Sequence, residues 1–537
     1  MRGERWIAGC LMKRTRTSPI LLLLILLIGV IPIAWMFGAS FWNARGLTLQ
    51  HYAVLFQEAR TLKLLGNTVA LGMLVVAGTL LLGIPLAFFL ARTDVPFRNL
   101  LGTILLVPLF LPPYILAVAW SSILGRRVLV HQRFGIGETA WAFLNSIWGC
   151  TFVLVFAFLP IVILFIKTAL VQIQAEIEEA ARLETARRKI VWHITLPLIA
   201  PAMLSSAMVI FMLTISEFAV PMFLSVNVFT SEVFTQFAAF YNYETAVAMS
   251  LPLIVITLAA MMWERARLQE GVFATEEAMP QLSPRLPLGG WRFAVLGFCL
   301  LIFIISVLLP IGIILMQSLS FEAYFRAFEV AENGIATSFL NSAVGATVLV
   351  AFGFVVAYQI ERRGAQHFDV LLLLMFAIPS TVLGIGLIKL WNQSLFAGTI
   401  YNTFVIVIIA YLARFLILPE RMFLSAFKQL PVSLEEAAKM DGASTAQIWT
   451  KILLPLTAPT IAAAWIIGFI FCFGELGATI IVYPAGGATL PIRLYTIMAN
   501  SPESVTAAMS MMLVLPILVA VSLVMFSLNF LFTRKLI

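Results

Sequence analysis

Apolar runs of about 20 residues recur from one end of this chain to the other, and that is the length needed to cross a hydrocarbon core. Twelve such spans are expected, at 19–41, 66–91, 99–121, 142–168, 198–224 and 245–263, then 291–317, 338–360, 368–391, 401–424, 456–482 and 504–532. Lipid offers no hydrogen bonds to a bare backbone, so each span must close its own and is read as a helix. Membrane barrels require short alternating segments, which are absent here. Charged residues occupy only 11% of the 537 positions, against about 25% in a soluble chain. The expected fold class is therefore an all-α integral membrane protein.

The loops give the orientation. With the N-terminus inside, most of the 34 Lys and Arg fall at cytoplasmic ends, the bias that positively charged loops impose. Arg126, Arg127 and Arg133 run against it. An even number of spans returns the C-terminus to the cytoplasm. The net charge of +8 is then a residue of topology and not a sign of nucleic-acid binding. Cys10, Cys150, Cys299 and Cys472 are scattered and have no disulfide or metal spacing. The four histidines likewise lack zinc spacing.

One polar stretch near the middle, 264–290, is rich in Pro, Gly and charge, as a linker should be. Six expected spans lie on each side, so the halves 1–263 and 291–537 face the same way. They are parallel repeats about an axis along the membrane normal.

The repeat is visible in two cytoplasmic loops. The first, 178–201, reads EEAARLETARRKIVWHITLPLIAP, and the second, 435–459, reads EEAAKMDGASTAQIWTKILLPLTAP. Glu179, Ala180, Ala181, Glu184 and Pro197 of the first match Glu436, Ala437, Ala438, Asp441 and Pro455 of the second. The second copy has one extra residue, placed at Gly442. Glu-Ala-Ala favours helix, and the alanines leave a shallow face for a close partner. Gly442 suits a turn with positive φ, and Leu-Pro suits a helix start. Each loop should be a helix–turn–helix standing off the membrane.

Both loops resemble the "EAA" loop of ABC-importer permeases. The first copy departs from that pattern at the glycine. The resemblance covers essentially the whole chain. It implies a type I importer fold of two parallel six-helix repeats and assigns the loop residues above to coupling with a cytoplasmic ATP-binding subunit. Two loops imply two copies of that subunit. They also imply a separate extracytoplasmic substrate-binding protein, a place in the bacterial inner membrane and alternating access. No phosphate-binding GxxxxGK[ST] loop is present. The chain is thus expected to be a transport subunit without a cofactor or catalytic site of its own, with ATP and Mg held by its partners. The run Phe473 to Met498 resembles the ferric-iron, thiamine and phosphonate branch. Ferric iron is the expected substrate, and thiamine, aminophosphonate and polyamine are alternatives. An ion-coupled secondary transporter would need no ATPase partner.

Two intramembrane acids stand at matching places: Glu217 lies 20 residues after Pro197, and Glu475 lies 20 after Pro455. Carboxylates in lipid need a wet or interior position and a partner. The pair either lines a cation path, since Fe(III) prefers oxygen ligands, or braces broken helices beside Pro221 and Gly477. Pro112-Pro113 and Pro379 mark bends in the third and ninth spans. The orientation has a direct check. A single cysteine at Gln281 should react with a membrane-impermeant thiol reagent only after cells are opened, and labelling of intact cells would refute the parallel six-plus-six arrangement.

Overall fold

The computed structural model describes residues 18–43, 46–47, 52, 59–125, 137–173, 181, 187–269, 285–394 and 396–534. They are helical almost throughout. A hairpin of two-residue strands, Trp42–Asn43 with Gly46–Leu47, is the only sheet among them.

Helices α1 (Pro19–Ser40) and α2 (Ala59–Arg92) open the first half. A bent pair follows, α3 (Arg98–Phe110) and α4 (Pro113–Leu124), then α5 (Ile147–Gln172), α6 (Leu196–Ser216) and α7 (Tyr243–Gln269). The second half repeats the order: α8 (Gly289–Gln317), α9 (Gly334–Arg363), and the bent pair α10 (His367–Ala377) and α11 (Ser380–Trp391). Next come α12 (Val405–Phe415), α13 (Ile417–Gln429), α14 (Ser433–Met440), α15 (Leu454–Gly474) and α16 (Glu503–Arg534).

Three expectations change. Twelve spans were expected, whereas eight helices are long and apolar enough to cross a membrane, or eleven if each of three bent pairs is one span. The shortfall falls at 401–424, where α12 is only 11 residues long and Glu420 and Arg421 interrupt the apolar run of α13. The third and ninth spans turn through 99° and 105° between their two helices. Pro112 and Pro379 lack the N–H that would continue the ladder, and the residue before each proline is driven to extended backbone: Leu111 has ψ 132° and Ile378 ψ 128°. Finally, the fifth and eleventh spans stop at Ser216 and Gly474, short of 224 and 482.

Prolines shape four other helices by a shared device. A five-residue π-turn ends two residues before Pro32, Pro197, Pro310 and Pro455, at Leu26–Val30, Val191–Thr195, Ile304–Leu308 and Trp449–Leu453. Widening the turn removes the carbonyl that the ring would strike and the bond that proline cannot make. The four turns form two matched pairs, one pair per type of helix, which puts the internal repeat into the backbone itself.

Small residues set the packing. Between helices in lipid, close backbone approach replaces hydrophobic burial as the driving force. A Cβ on Gly83 of α2 would lie 2.6 Å from Val162 of α5, and one on Gly345 of α9 would lie 2.7 Å from Tyr411 of α12. The halves also exchange their first helices. The C-terminal part of α1 packs on α11 of the second half, and the end of α8 packs on α4 of the first. A Cβ on Gly386 would meet Ile33 at 2.9 Å and the Pro32 backbone at 3.3 Å. Of the linker, 264–269 extends α7, while 270–284 lies outside the described residues. Its far end is tied back to the first half, as Leu286 N–H donates to Arg92 O (2.8 Å) and Leu288 N–H to Asp94 Oδ1 (2.9 Å).

Candidate functional site: a central cavity and a cytoplasmic loop

The two breaks that end α6 and α15 meet the bends before α4 and α11, and a cavity of about 160 Å³ lies between them. Its wall includes Tyr114, Ser216, Glu217, Ser380, Arg414 and Glu475. Both halves contribute.

Each glutamate sits where its helix stops. Glu217 Oε1 accepts from Ala219 N–H (2.9 Å) and Val220 N–H (3.2 Å), the first donors of the short helix Ala219–Phe223. Glu475 uses both oxygens: Oε1 accepts from Ala478 N–H (2.7 Å) and Oε2 from Thr479 N–H (2.9 Å), opening Thr479–Val482. A helix N-terminus leaves its first N–H groups without partners and carries partial positive charge. A carboxylate answers both needs. Glu217 Oε2 takes no hydrogen bond among the described residues.

Arg414 stands opposite. Its Nη1 donates to Ile378 O (3.1 Å) and its Nη2 to Ser216 Oγ (3.0 Å). It interacts electrostatically with both glutamates but forms no direct ion pair with either among the described residues. Ser216 Oγ accepts a second bond from Ser380 N–H (3.0 Å). Among the described residues no three His, Cys, Asp or Glu side chains converge as a metal site.

The second of the two repeated loops is a helix–turn–helix. In α14, Glu436 and Ala437 are exposed and Ala438 is half-buried. Gly442 has φ 82°, with its N–H bonded to Lys439 O and Ala443 N–H to Ala438 O. This double closure needs a left-handed residue. Ser444 caps the next helix, Thr445–Ile448, reciprocally with Gln447. That helix enters α15 through its π-turn, so Pro455 lies within a continuous run that bends by 74° at Thr457. In the first loop, Glu178, Glu179, Ala180 and Glu184 lie outside the described residues; Ala181 is half-buried and Pro197 stands in the first turn of α6.

The glutamate before Glu436 behaves differently. Glu435 is only 3% exposed and pairs with Arg362 Nε of α9 (2.8 Å), while Tyr358 O–H donates to its Oε2 (3.0 Å). Arg362 Nη2 also donates to Leu430 O (2.7 Å). In the first half Arg92 Nη2 reaches Leu170 O (2.6 Å) in a similar way. Of the site residues, sequence reasoning missed Arg362, Tyr358, Glu435, Ser216, Ser380 and Arg414. Arg414 carried a signal, being an arginine inside an expected span. The serines carried none.

Fold and site together define a two-halved α-helical membrane permease with an exposed helix–turn–helix loop. The profile of the family described as "Binding-protein-dependent transport system inner membrane component" matches residues 83–266 and 349–537. The chain belongs to that family. It is similar to the Fe(3+)-transport system permease protein FbpB 2 of Haemophilus influenzae, at 24% identity over 92% of this chain and 96% of that protein. The ferric transport system permease protein FbpB of Actinobacillus pleuropneumoniae is 25% identical over 90% of this chain and 73% of its own length. A 2-aminoethylphosphonate transport system permease protein, PhnV of Salmonella paratyphi A, is 26% identical over 40% of this chain and 86% of its own.

Two predictions follow from these contacts. Glu217→Gln keeps an accepting oxygen for both of its N–H donors, so folded yield should match the wild type. Glu475→Gln must turn an amide N–H₂ toward one N–H and should cost about 1–3 kcal/mol, read as a lower melting temperature in detergent; equal melting temperatures would refute the capping geometry. On the loop, Glu435→Ala leaves Arg362 buried without its carboxylate and should cost about 3–5 kcal/mol. Glu436→Ala should melt like the wild type yet recover less ATPase subunit in a pull-down. Reversed phenotypes would exchange their roles.

Proposed function

We propose that this chain is the complete translocation subunit of an ATP-driven importer that carries ferric iron into the bacterial cytoplasm. The observation that carries the reading is the match along nearly the whole chain to two permeases described as ferric transporters. Both termini and the linker face the cytoplasm. Each EAA loop docks one copy of a cytoplasmic ATP-binding subunit, which holds ATP and Mg, and a soluble binding protein delivers substrate from outside. The chain itself hydrolyses nothing.

Glu179, Ala180, Ala181, Glu184 and Pro197 form one coupling surface, and Glu436, Ala437, Ala438, Asp441, Gly442 and Pro455 form the other. Exposure of Glu436, Ala437 and Asp441 on a short helix held rigidly by Glu435 supports that role. ATP binding and binding-protein docking shift the populations of inward- and outward-facing states. Glu217 and Glu475 border the path. Three of their four carboxylate oxygens are engaged by backbone donors, so they shape the path and leave one oxygen, Glu217 Oε2, for a passing cation.

A half-length phosphonate permease relative supports 2-aminoethylphosphonate as a second reading. The test is uptake by proteoliposomes containing this chain, its ATPase and its binding protein. ATP-dependent accumulation of radioactive iron, unaffected by excess 2-aminoethylphosphonate, is expected. Accumulation of the phosphonate without iron would establish the second reading, and transport without any ATPase would overturn both.

A further inference from the structure

The two halves touch at their breaks in a reciprocal way. Ser216 and Gly474 are equivalent, each preceding a capping glutamate, and Pro112 and Pro379 are equivalent, each preceding the second helix of a bent pair. Pro112 of the first half lies against Gly474 of the second, where a Cβ would come within 2.7 Å of the proline ring. Ser380 of the second half, next to Pro379, lies on Ser216 of the first.

Only one of these contacts is polar. Pro112 has no N–H and Gly474 has no side chain, so their contact can slide apart without losing a hydrogen bond. Ser216 instead holds two bonds from the other half, from Ser380 N–H and from Arg414 Nη2, both at 3.0 Å. Arg414 in turn ties the carbonyl that ends the first arm of the bend, Ile378 O (3.1 Å). The place of Arg414 in the first half, 257 residues earlier, is Ala157, which lines the same cavity without any donor. The junction is therefore locked on one side of its axis and smooth on the other. A hydroxyl oxygen with both lone pairs filled, at the boundary of two moving bodies, fails all at once when they part.

We infer that Ser216, Ser380 and Arg414 form a latch between the halves, that it holds the central path shut in this state, and that each transport cycle breaks it. This rests on the importer reading above. Ser216 and Arg414 are positioning residues; they set which state the complex rests in. Losing a hydrogen bond to a charged group shifts a two-state balance by about an order of magnitude. The resting complex then enters the hydrolysing state without its binding protein.

The test uses the complete complex of this chain, its ATPase partners and its binding protein in proteoliposomes. Ser216→Ala should raise ATP hydrolysis measured without binding protein roughly five- to tenfold, with folded yield unchanged. Arg414→Gln should do the same. A Ser216→Cys/Ser380→Cys pair, oxidised and then cleaved in the 264–290 linker, should leave the halves joined by a disulfide. Uptake should stop on oxidation and return with reductant. If Arg414→Gln fails to fold, Ser216→Ala and the cysteine pair still decide. Failure of the pair to cross-link, normal uptake by the cross-linked protein, or wild-type basal hydrolysis in Ser216→Ala would each overturn the latch. A wild-type complex that shows no ATP-dependent uptake would instead overturn the importer reading, so the two failures are distinct.

Discussion

A backbone that breaks in the middle of a membrane must be repaired from within the chain, and the centre of this molecule is organised around two such repairs. Where α6 and α15 stop, the next N–H groups lose their partners within the helix and must find others. Glu217 and Glu475 take those donors. Each charge is costly in lipid on its own, and so are the freed N–H groups, but the helix terminus and the carboxylate stabilise each other. The result is a ring of broken backbone, polar yet satisfied, around a small cavity. Straight helices could not make one, because their polar groups are all turned inward along their own axes.

Duplication built this centre twice, and divergence then made it unequal. The π-turns before Pro197 and Pro455 and the bends before α4 and α11 remain nearly identical in both halves. These features solve a problem set by proline chemistry, which leaves few alternatives. Two differences fall on side chains, Arg414 in the place of Ala157 and Ser216 in the place of Gly474, and a third on the backbone, since Gly442, which closes its turn with positive φ, has no partner in the first loop. Fusing two halves into one chain permits this, since each copy can specialise without having to pair with itself.

Most of the architecture was legible because lipid leaves so little freedom. Apolar length located most of the crossing segments, although the fifth and eleventh helices end at Ser216 and Gly474, short of the expected 224 and 482, and 401–424 is not one long apolar helix; the repeated EAA loops disclosed the internal symmetry. The errors lie where a helix has to do something other than cross. The α3–α4 and α10–α11 bends exceed 90°, which a proline in the sequence marks as a site without giving the angle. The α12–α13 segment is divided at Leu416, three residues before Pro419, and Glu420 and Arg421 interrupt the apolar run of α13, local signals that a long apolar average blurs. Glu217 and Glu475 were visible as misplaced charges, yet whether each oxygen faced a backbone donor or the path depended on the break beside it. Glu435 was hidden by its neighbour Glu436, since two adjacent glutamates on a helix point in different directions and the sequence does not say which one is buried.

Helix α9 touches both the helix–turn–helix loop and the α12–α13 segment. At its C-terminal end Arg362 and Tyr358 grip Glu435, so α14 is tied to α9 through a buried ion pair in place of a flexible loop. Along its length α9 has glycine at two places where the α12–α13 segment comes close, Gly353 against Pro419 and Gly345 against Tyr411. Contacts this tight transmit displacement and do not absorb it. Tyr411 lies one turn before Arg414, and Arg414 holds Ser216 of the other half. An unbroken series of close contacts therefore runs from the exposed loop to the seam between the halves. In the place of Arg414 the first half has Ala157, whose side chain cannot make the bond that Arg414 makes to Ser216.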